Sequence, residues 1–315
     1  MIWGGVAVGL VILLLAGDAL VKGAVNLSLR VGIPALIVSL TIVAFGTSAP
    51  ELLISINAAL DDAPGIALGN VVGSNTANIL LVLGVPALLA VMHTSQCNTR
   101  KSYVIMIAGS VLFIALAFRG VFDWIAGVIL LSVLAVILGD AIREGLAHRR
   151  AGLEAEDEEE PEGADPDMPW WKIGLFLALG LVGLPLGADL LVDSSVEIAM
   201  IFGVTDTVIG LTLVALGTSL PELATTVMAA LRRQADVALG NVIGSNMFNL
   251  LAIIGVASLI APIPVDPEFL QFDLWVMLGA SLLIFPLVFL ARDLTRLWGI
   301  ALSALYLGYI AIVIM

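Results

Sequence analysis

Apolar residues gather along this chain in runs long enough to cross a bilayer, near 2–21, 33–60, 66–91, 103–118, 124–142, 171–192, 205–231, 237–260, 274–291 and 297–314. A hydrocarbon core about 30 Å thick needs roughly 20 helical residues. The pattern therefore predicts an all-α integral membrane protein of ten transmembrane helices. The runs at 33–60 and 205–231 are too long for a plain crossing, which predicts tilting or breaks within them. Both are interrupted by the same polar positions. The stretch Ala44-Phe45-Gly46-Thr47-Ser48-Ala49-Pro50-Glu51-Leu52 returns 171 residues later as Ala215-Leu216-Gly217-Thr218-Ser219-Leu220-Pro221-Glu222-Leu223.

A second pattern shares that offset. Gly69-Asn70, Gly73-Ser74-Asn75 and Asn78 recur as Gly240-Asn241, Gly244-Ser245-Asn246 and Asn249. Aligned without gaps, residues 41–60 match 212–231 at 12 of 20 positions. Five spans per half is an odd number, so the second half must enter the membrane from the opposite side. Lys22 accordingly falls opposite Asp193, and Asp61-Asp62 opposite Arg232-Arg233. Two inverted-topology repeats are expected, an arrangement of secondary transporters whose binding sites lie at midplane where the repeats meet.

Composition agrees with a membrane chain: 60% hydrophobic and 12% charged residues, with mean hydropathy +1.11, exceed what a soluble domain can bury. The net charge of −13 is largely local, because nine of the 26 acids lie between Glu154 and Asp167. That segment has three prolines and no periodic apolar face out to Pro169, and reads as a disordered acidic tether. The chain divides into a first repeat 1–145, a linker 146–169 and a second repeat 170–315. With the N-terminus outside, twelve of the thirteen Lys and Arg residues fall on the cytoplasmic side and only Arg119 outside. This predicts a multi-pass protein of the cell's inner (plasma) membrane with both termini outside and the linker cytoplasmic. The first run lacks a basic start and Asp18 has a repeat partner in Asp189, so it reads as a retained helix rather than a signal peptide. One cysteine, Cys97, and two distant histidines, His93 and His148, offer no disulfide, zinc or haem site. No cofactor is expected.

Glu51 lies about 17 residues from one end of its run and about 9 from the other, well inside the hydrocarbon, and Glu222 is placed likewise. A carboxylate at that depth costs a few kcal/mol and marks an ion pathway. Pro50 and Pro221 lack an N–H, which frees the carbonyls of Gly46 and Gly217 and loosens the helix around them. Thr47 with Glu51, and Ser74 with Asn78, are four apart and can share a helical face. Such an all-oxygen donor set suits calcium or sodium rather than a transition metal. Asn75 and Asn246 read as helix-contact residues. Gly69, Gly73, Gly240 and Gly244 are expected to allow close helix approach, and Asp18 and Asp189 to lie near span ends.

The paired motifs, GTSAPE with GNVVGSNTAN and GTSLPE with GNVIGSNMFN, resemble the two alpha-repeats of the calcium/cation antiporter superfamily, in particular prokaryotic sodium/calcium exchangers. The resemblance implies a ten-helix fold with Glu51 and Glu222 as shared central ligands. It further implies Thr47, Ser48, Ser74, Thr218, Ser219 and Ser245 around the ion sites, backbone oxygens of Ala44 and Ala215 taking part, and Asn78 and Asn249 completing the centre. Some relatives carry an Asp where Asn249 stands. Two core carboxylates argue against a potassium-dependent subtype. In that family the first and sixth helices, here 2–21 and 171–192, slide across the rest. The expected function is exchange of sodium for calcium across the bilayer, with no enzymatic activity. The alternatives are a proton/calcium antiporter, since carboxylates also carry protons, and a passive cation channel.

Overall fold

The structure is a computed structural model that describes residues 2–60, 64–150, 165–201, 215–267 and 269–314. Among these it is built from helices α1 (Ile2–Val31), α2 (Ala35–Thr47), α3 (Ala49–Leu60), α4 (Gly65–Leu89), α5 (Arg100–Ala117) and α6 (Trp124–Arg150). There follow α7 (Trp170–Ile201), α8 (Ala215–Thr218), α9 (Leu220–Leu231), α10 (Ala235–Ile260), α11 (Phe269–Phe289) and α12 (Arg296–Ile314). Eight of the described helices are long and apolar enough to cross a membrane, or nine when the bent pair α2 and α3 counts as one span. The seventh predicted run begins at 205, outside the described residues, and its described part, from 215, is α8 and α9.

The run at 33–60 does break, at Ser48, where φ −85° and ψ 6° end α2 before α3 begins. The two pieces are bent by 45°. The break precedes Pro50 by two residues because proline is tolerated in the first turn of a helix, where its missing N–H costs nothing. Ser219 interrupts the second repeat in the same way, with φ −88° and ψ 2°. The sequence did not foretell the wide π turns at Ser39–Val43, Asn78–Val82, Phe248–Ile253 and Phe269–Asp273.

Helices α4 and α10 form the enclosed centre, and Val71, Ile79, Leu83, Val242, Ile243 and Leu251 among their residues are fully buried. Around them α6 and α12 turn many apolar residues outward, including Val136, Leu297 and Leu307, as lipid-facing helices should. All six tryptophans lie at or near helix ends. Helices α1 and α7 run antiparallel along one side: Gly5 meets Ser194, Gly9 meets Gly187 and Leu191, and Gly23 meets Leu177. At Gly9 a β-carbon would stand 2.7 Å from the Leu191 nitrogen, and at Gly187 2.9 Å from the Leu13 nitrogen. These backbones approach too closely for any side chain.

Both helices outrun their predicted spans. Thirty residues in α1 extend about 45 Å, the thickness of a bilayer with its headgroups. The extra turns carry Lys22, Asn26 and Arg30, and they hold the end of the acidic linker. Asn26 Oδ1 accepts from the Asp165 backbone N–H at 2.8 Å, Arg30 Nη1 donates to the Pro166 carbonyl at 3.2 Å, and Met168 is buried. The tether read as disordered is thus docked at 165–169, its residues 151–164 lie outside the described set, and positions 146–150 belong to α6. Asp18, expected near a span end, lies midway along the lengthened α1 and its carboxylate pairs with Arg232 beyond α9, whereas Asp189 is exposed.

Short backbone bridges tie the connecting loops. A two-stranded antiparallel ribbon pairs β1 (Val121–Phe122) with β2 (Ile263–Pro264), and Met92 bridges Leu294. Beside that bridge, Asp293 accepts from the Ser95 N–H at 3.1 Å and from His93 at 3.0 Å. Burial opposes ionisation of Asp293, but the Ser95 and His93 contacts outweigh it and hold its carboxyl below the usual range.

Two outcomes are expected. Gly9→Val or Gly187→Val lowers stability by about 1–3 kcal/mol through overpacking, seen as a lower thermal midpoint in detergent. Gly174→Val, where nothing described lies within 4 Å, leaves the midpoint in place. Because the Asp293 pKa is depressed on folding, its contribution is present above about pH 4 and is lost as pH falls through the folded value. The midpoint difference between wild type and Asp293→Ala should therefore be small, under about 1 kcal/mol for so exposed a pair, and vanish in acid.

Candidate ion-binding site

The two helix breaks deliver the buried acids. Glu51 is the third residue of α3 and Glu222 the third of α9, and both are fully buried. In a first turn the unpaired backbone N–H groups favour a negative charge. The break also separates Thr47 from Glu51, so the two do not share one continuous helical face. They converge instead with residues of the other half.

Ser48 Oγ donates to Glu222 Oε1 at 3.0 Å, and Ser245 Oγ reaches the same oxygen at 3.4 Å. Thr47 Oγ1 lies 3.3 Å from the Ala44 carbonyl, 3.2 Å from Asn241 Oδ1 and 3.4 Å from Ser245 Oγ. Ser48, three residues before Glu51, thus brings a hydroxyl of the first half onto the Glu222 carboxylate. The acids are differently furnished. Glu222 Oε1 has hydroxyl donors, while Glu222 Oε2 and both carboxylate oxygens of Glu51 have no partner among the described residues.

The remaining expected residues fall around this centre. Ser74, Thr218 and Ser219 are buried, and Ser219 Oγ lacks a partner. Asn78 Nδ2 donates to Asn246 Oδ1 at 3.0 Å, leaving Asn78 Oδ1 unpaired, and Asn249 is fully buried with neither amide atom bonded. Ala44 is buried in α2, and its carbonyl already accepts from the Ser48 N–H at 3.0 Å, so it is less free than expected. Ala215 opens α8. Among the described residues, ten buried side-chain polar atoms lack a partner, and eight belong to Glu51, Asn75, Asn78, Ser219, Glu222 and Asn249. Buried polar groups are ordinarily paired, so this concentration marks a place built for something other than protein donors.

Asn75 and Asn246 do act as helix contacts, each amide nitrogen donating to the other's backbone carbonyl at 3.2 and 3.4 Å. The glycines divide. At Gly240 and Gly244 a β-carbon would press on the Leu36 and Leu40 carbonyls at 2.9 and 2.5 Å, as close approach requires. At Gly69 the nearest described atom is 3.8 Å away, and at Gly73 none lies within 4 Å. Asn70, Asn241, Ser55 and Thr226 went unremarked individually in the sequence. Their recurrence at offset 171, with a hydroxyl four residues after each glutamate, was the available signal.

The comparisons with known proteins agree with this construction. The family described as "Sodium/calcium exchanger protein" matches residues 1–141 and 172–315. The sodium/calcium exchanger MaX1 of Methanosarcina acetivorans is 32% identical over 346 residues, covering 96% of each chain. The inner membrane protein YrbG of Escherichia coli is 33% identical, over 88% of this chain and 85% of its own. Among solved structures, the sodium-calcium exchanger NCX_Mj, soaked with 2.5 mM Na+ and 0.1 mM Ca2+, superposes with a TM-score of 0.82 at 32% identity, over 98% of this chain and 97% of its own. With matches of this extent, the chain belongs to the sodium/calcium exchanger family of multi-pass membrane transporters, the calcium/cation antiporters.

Proposed function

We propose that this antiporter exchanges sodium for calcium by alternating access to one site centred on Glu51 and Glu222. The observation that carries the reading is the set of buried acceptor oxygens without protein donors, contributed by both halves of the chain. Calcium is held by six to eight oxygens in flexible geometry, and two carboxylates balance its charge. Thr47, Ser48, Ser74 and Asn78, with Thr218, Ser219, Ser245 and Asn249, supply further oxygens, and the carbonyls of Ala44 and Ala215 complete the set. Sodium ions drawn to the same acids cannot share them with calcium at full occupancy. Mutual exclusion at one anionic pocket couples the two fluxes.

Ten spans in two inverted repeats, 1–145 and 170–315 with 146–169 between them, give the symmetry this requires. Two pairs of bridges support it: Met92 and Ile263 are 171 apart, and Phe122 and Leu294 are 172 apart, yet each pairs across the halves. The charge bias places the termini outside a cell's inner membrane and the linker in the cytoplasm.

In vesicles loaded with calcium, an imposed sodium gradient at constant pH should accelerate calcium efflux, and a pH gradient alone should not. Efflux driven only by the pH gradient overturns sodium coupling, and efflux that needs no counter-ion overturns exchange. Glu51→Gln and Glu222→Gln should each lower sodium-driven flux by more than about tenfold, since each removes half the charge opposing calcium. Both variants should still insert and elute as monodisperse protein. Near-normal flux in either would remove that residue from the site.

A further inference from the structure

One contact is built twice, with the same spacing, just outside the ion pocket. Asn70 Nδ2 donates to the Glu51 backbone carbonyl at 3.2 Å and to Ser55 Oγ at 3.1 Å. Asn241 Nδ2 donates to the Glu222 backbone carbonyl at 3.5 Å and to Thr226 Oγ1 at 3.3 Å. Ser55 and Thr226 are four residues beyond their glutamates, so each asparagine grips one turn of the acid-bearing helix at two points. Both protons of each amide are spent on this grip. Ser55, Thr226 and Asn241 are fully buried, and Asn70 is half-buried.

The grip lies on the ligand face. Asn70, Ser74 and Asn78 follow at four-residue steps on α4, as Asn241, Ser245 and Asn249 do on α10, so each set shares one side of its helix. The asparagine therefore fixes the turn that presents the carboxylate against the helix that presents the hydroxyl and amide oxygens. In the second repeat it reaches further, because Asn241 Oδ1 accepts from Thr47 Oγ1 at 3.2 Å. One amide thus joins the Glu222 backbone to a hydroxyl of the opposite half.

We infer that Asn70 and Asn241 are positioning residues that set the spacing between the glutamate carboxylates and the oxygens of α4 and α10, and so set the site's affinity for calcium. This rests on the exchange reading above, and it adds residues that touch no ion. Small displacements matter at such a site, because a cation held by many short oxygen contacts loses several of them when one wall moves.

The test is equilibrium calcium binding to purified full-length protein, with sodium-driven flux measured in parallel on the same preparations. Asn241→Ala and Thr226→Val should weaken calcium binding about fivefold to tenfold while the number of sites per folded protein is kept. Asn70→Ala should do the same from the other repeat. Thr226→Ser, which keeps the acceptor oxygen, should restore the affinity that Thr226→Val loses. Misfolding alone would reduce the number of sites at unchanged affinity. Unchanged affinity in Asn241→Ala and Asn70→Ala, or failure of the serine to restore it, overturns the inference while leaving exchange intact. A wild-type protein that binds calcium but shows no sodium-driven flux overturns sodium coupling alone. One that binds no calcium overturns both.

Discussion

Two carboxylates buried in a membrane protein without enough donors of their own are the constraint around which this chain is arranged. Taking an ionised group out of water costs several kcal/mol unless partners replace the lost hydration. Glu222 is partly compensated by Ser48 and Ser245, whereas both Glu51 oxygens face no donor among the described residues. A soluble fold would remove such a pair or supply an arginine. In the exchange proposed above, the transported cation supplies that positive charge.

The backbone is bent to meet that condition. Regular helices hide their carbonyls and amides, and a bilayer tolerates exposed ones only inside protein or against a watery cavity. The interruptions at Ser48 and Ser219 place each glutamate in the opening turn of a new helix, with first-turn N–H groups beside it. The π turns beginning at Asn78 and Phe248 lie at matching points of α4 and α10, beside the amides of Asn78 and Asn249. Wide turns of this kind recur at functional sites, because an inserted residue swings its neighbours round the axis and frees backbone groups. The distortions are tolerated at the centre of the molecule, where neighbouring helices enclose them.

Packing separates this rigid centre from its flank. Helices α4 and α10 are locked by reciprocal amide contacts between Asn75 and Asn246 and by the approach of α2 onto Gly240 and Gly244. Helices α1 and α7 meet each other backbone to backbone through glycines, and Leu13, Ala16, Leu20, Leu184 and Ala188 are buried in one apolar cluster along the same seam. The ion pair of Asp18 with Arg232 at mid-helix and the docked linker end at Asp165–Pro166 add polar ties to that apolar packing of α1.

Spacing and polarity alone determined much of this protein. The recurrence at 171 residues singled out the matched breaks at Ser48 and Ser219, the depth of Glu51 and Glu222 singled out two acids that the fold buries fully, and the over-long run at 33–60 announced its break. These were legible because a lone charge in an apolar run is costly and therefore conspicuous, and because a duplicated pattern reports its own symmetry. The extra turns of α1 and α7, the docking of 165–169, the pairing of Asp18 with Arg232 and the grip of Asn70 and Asn241 were decided only by the tertiary structure. Each depends on which atom of one helix meets which atom of another, and polar residues at helix ends or in glycine-rich stretches look alike in sequence whether they cap, bridge or bind. Hydrophobic periodicity records how deep a residue sits, but not the partner it finds there.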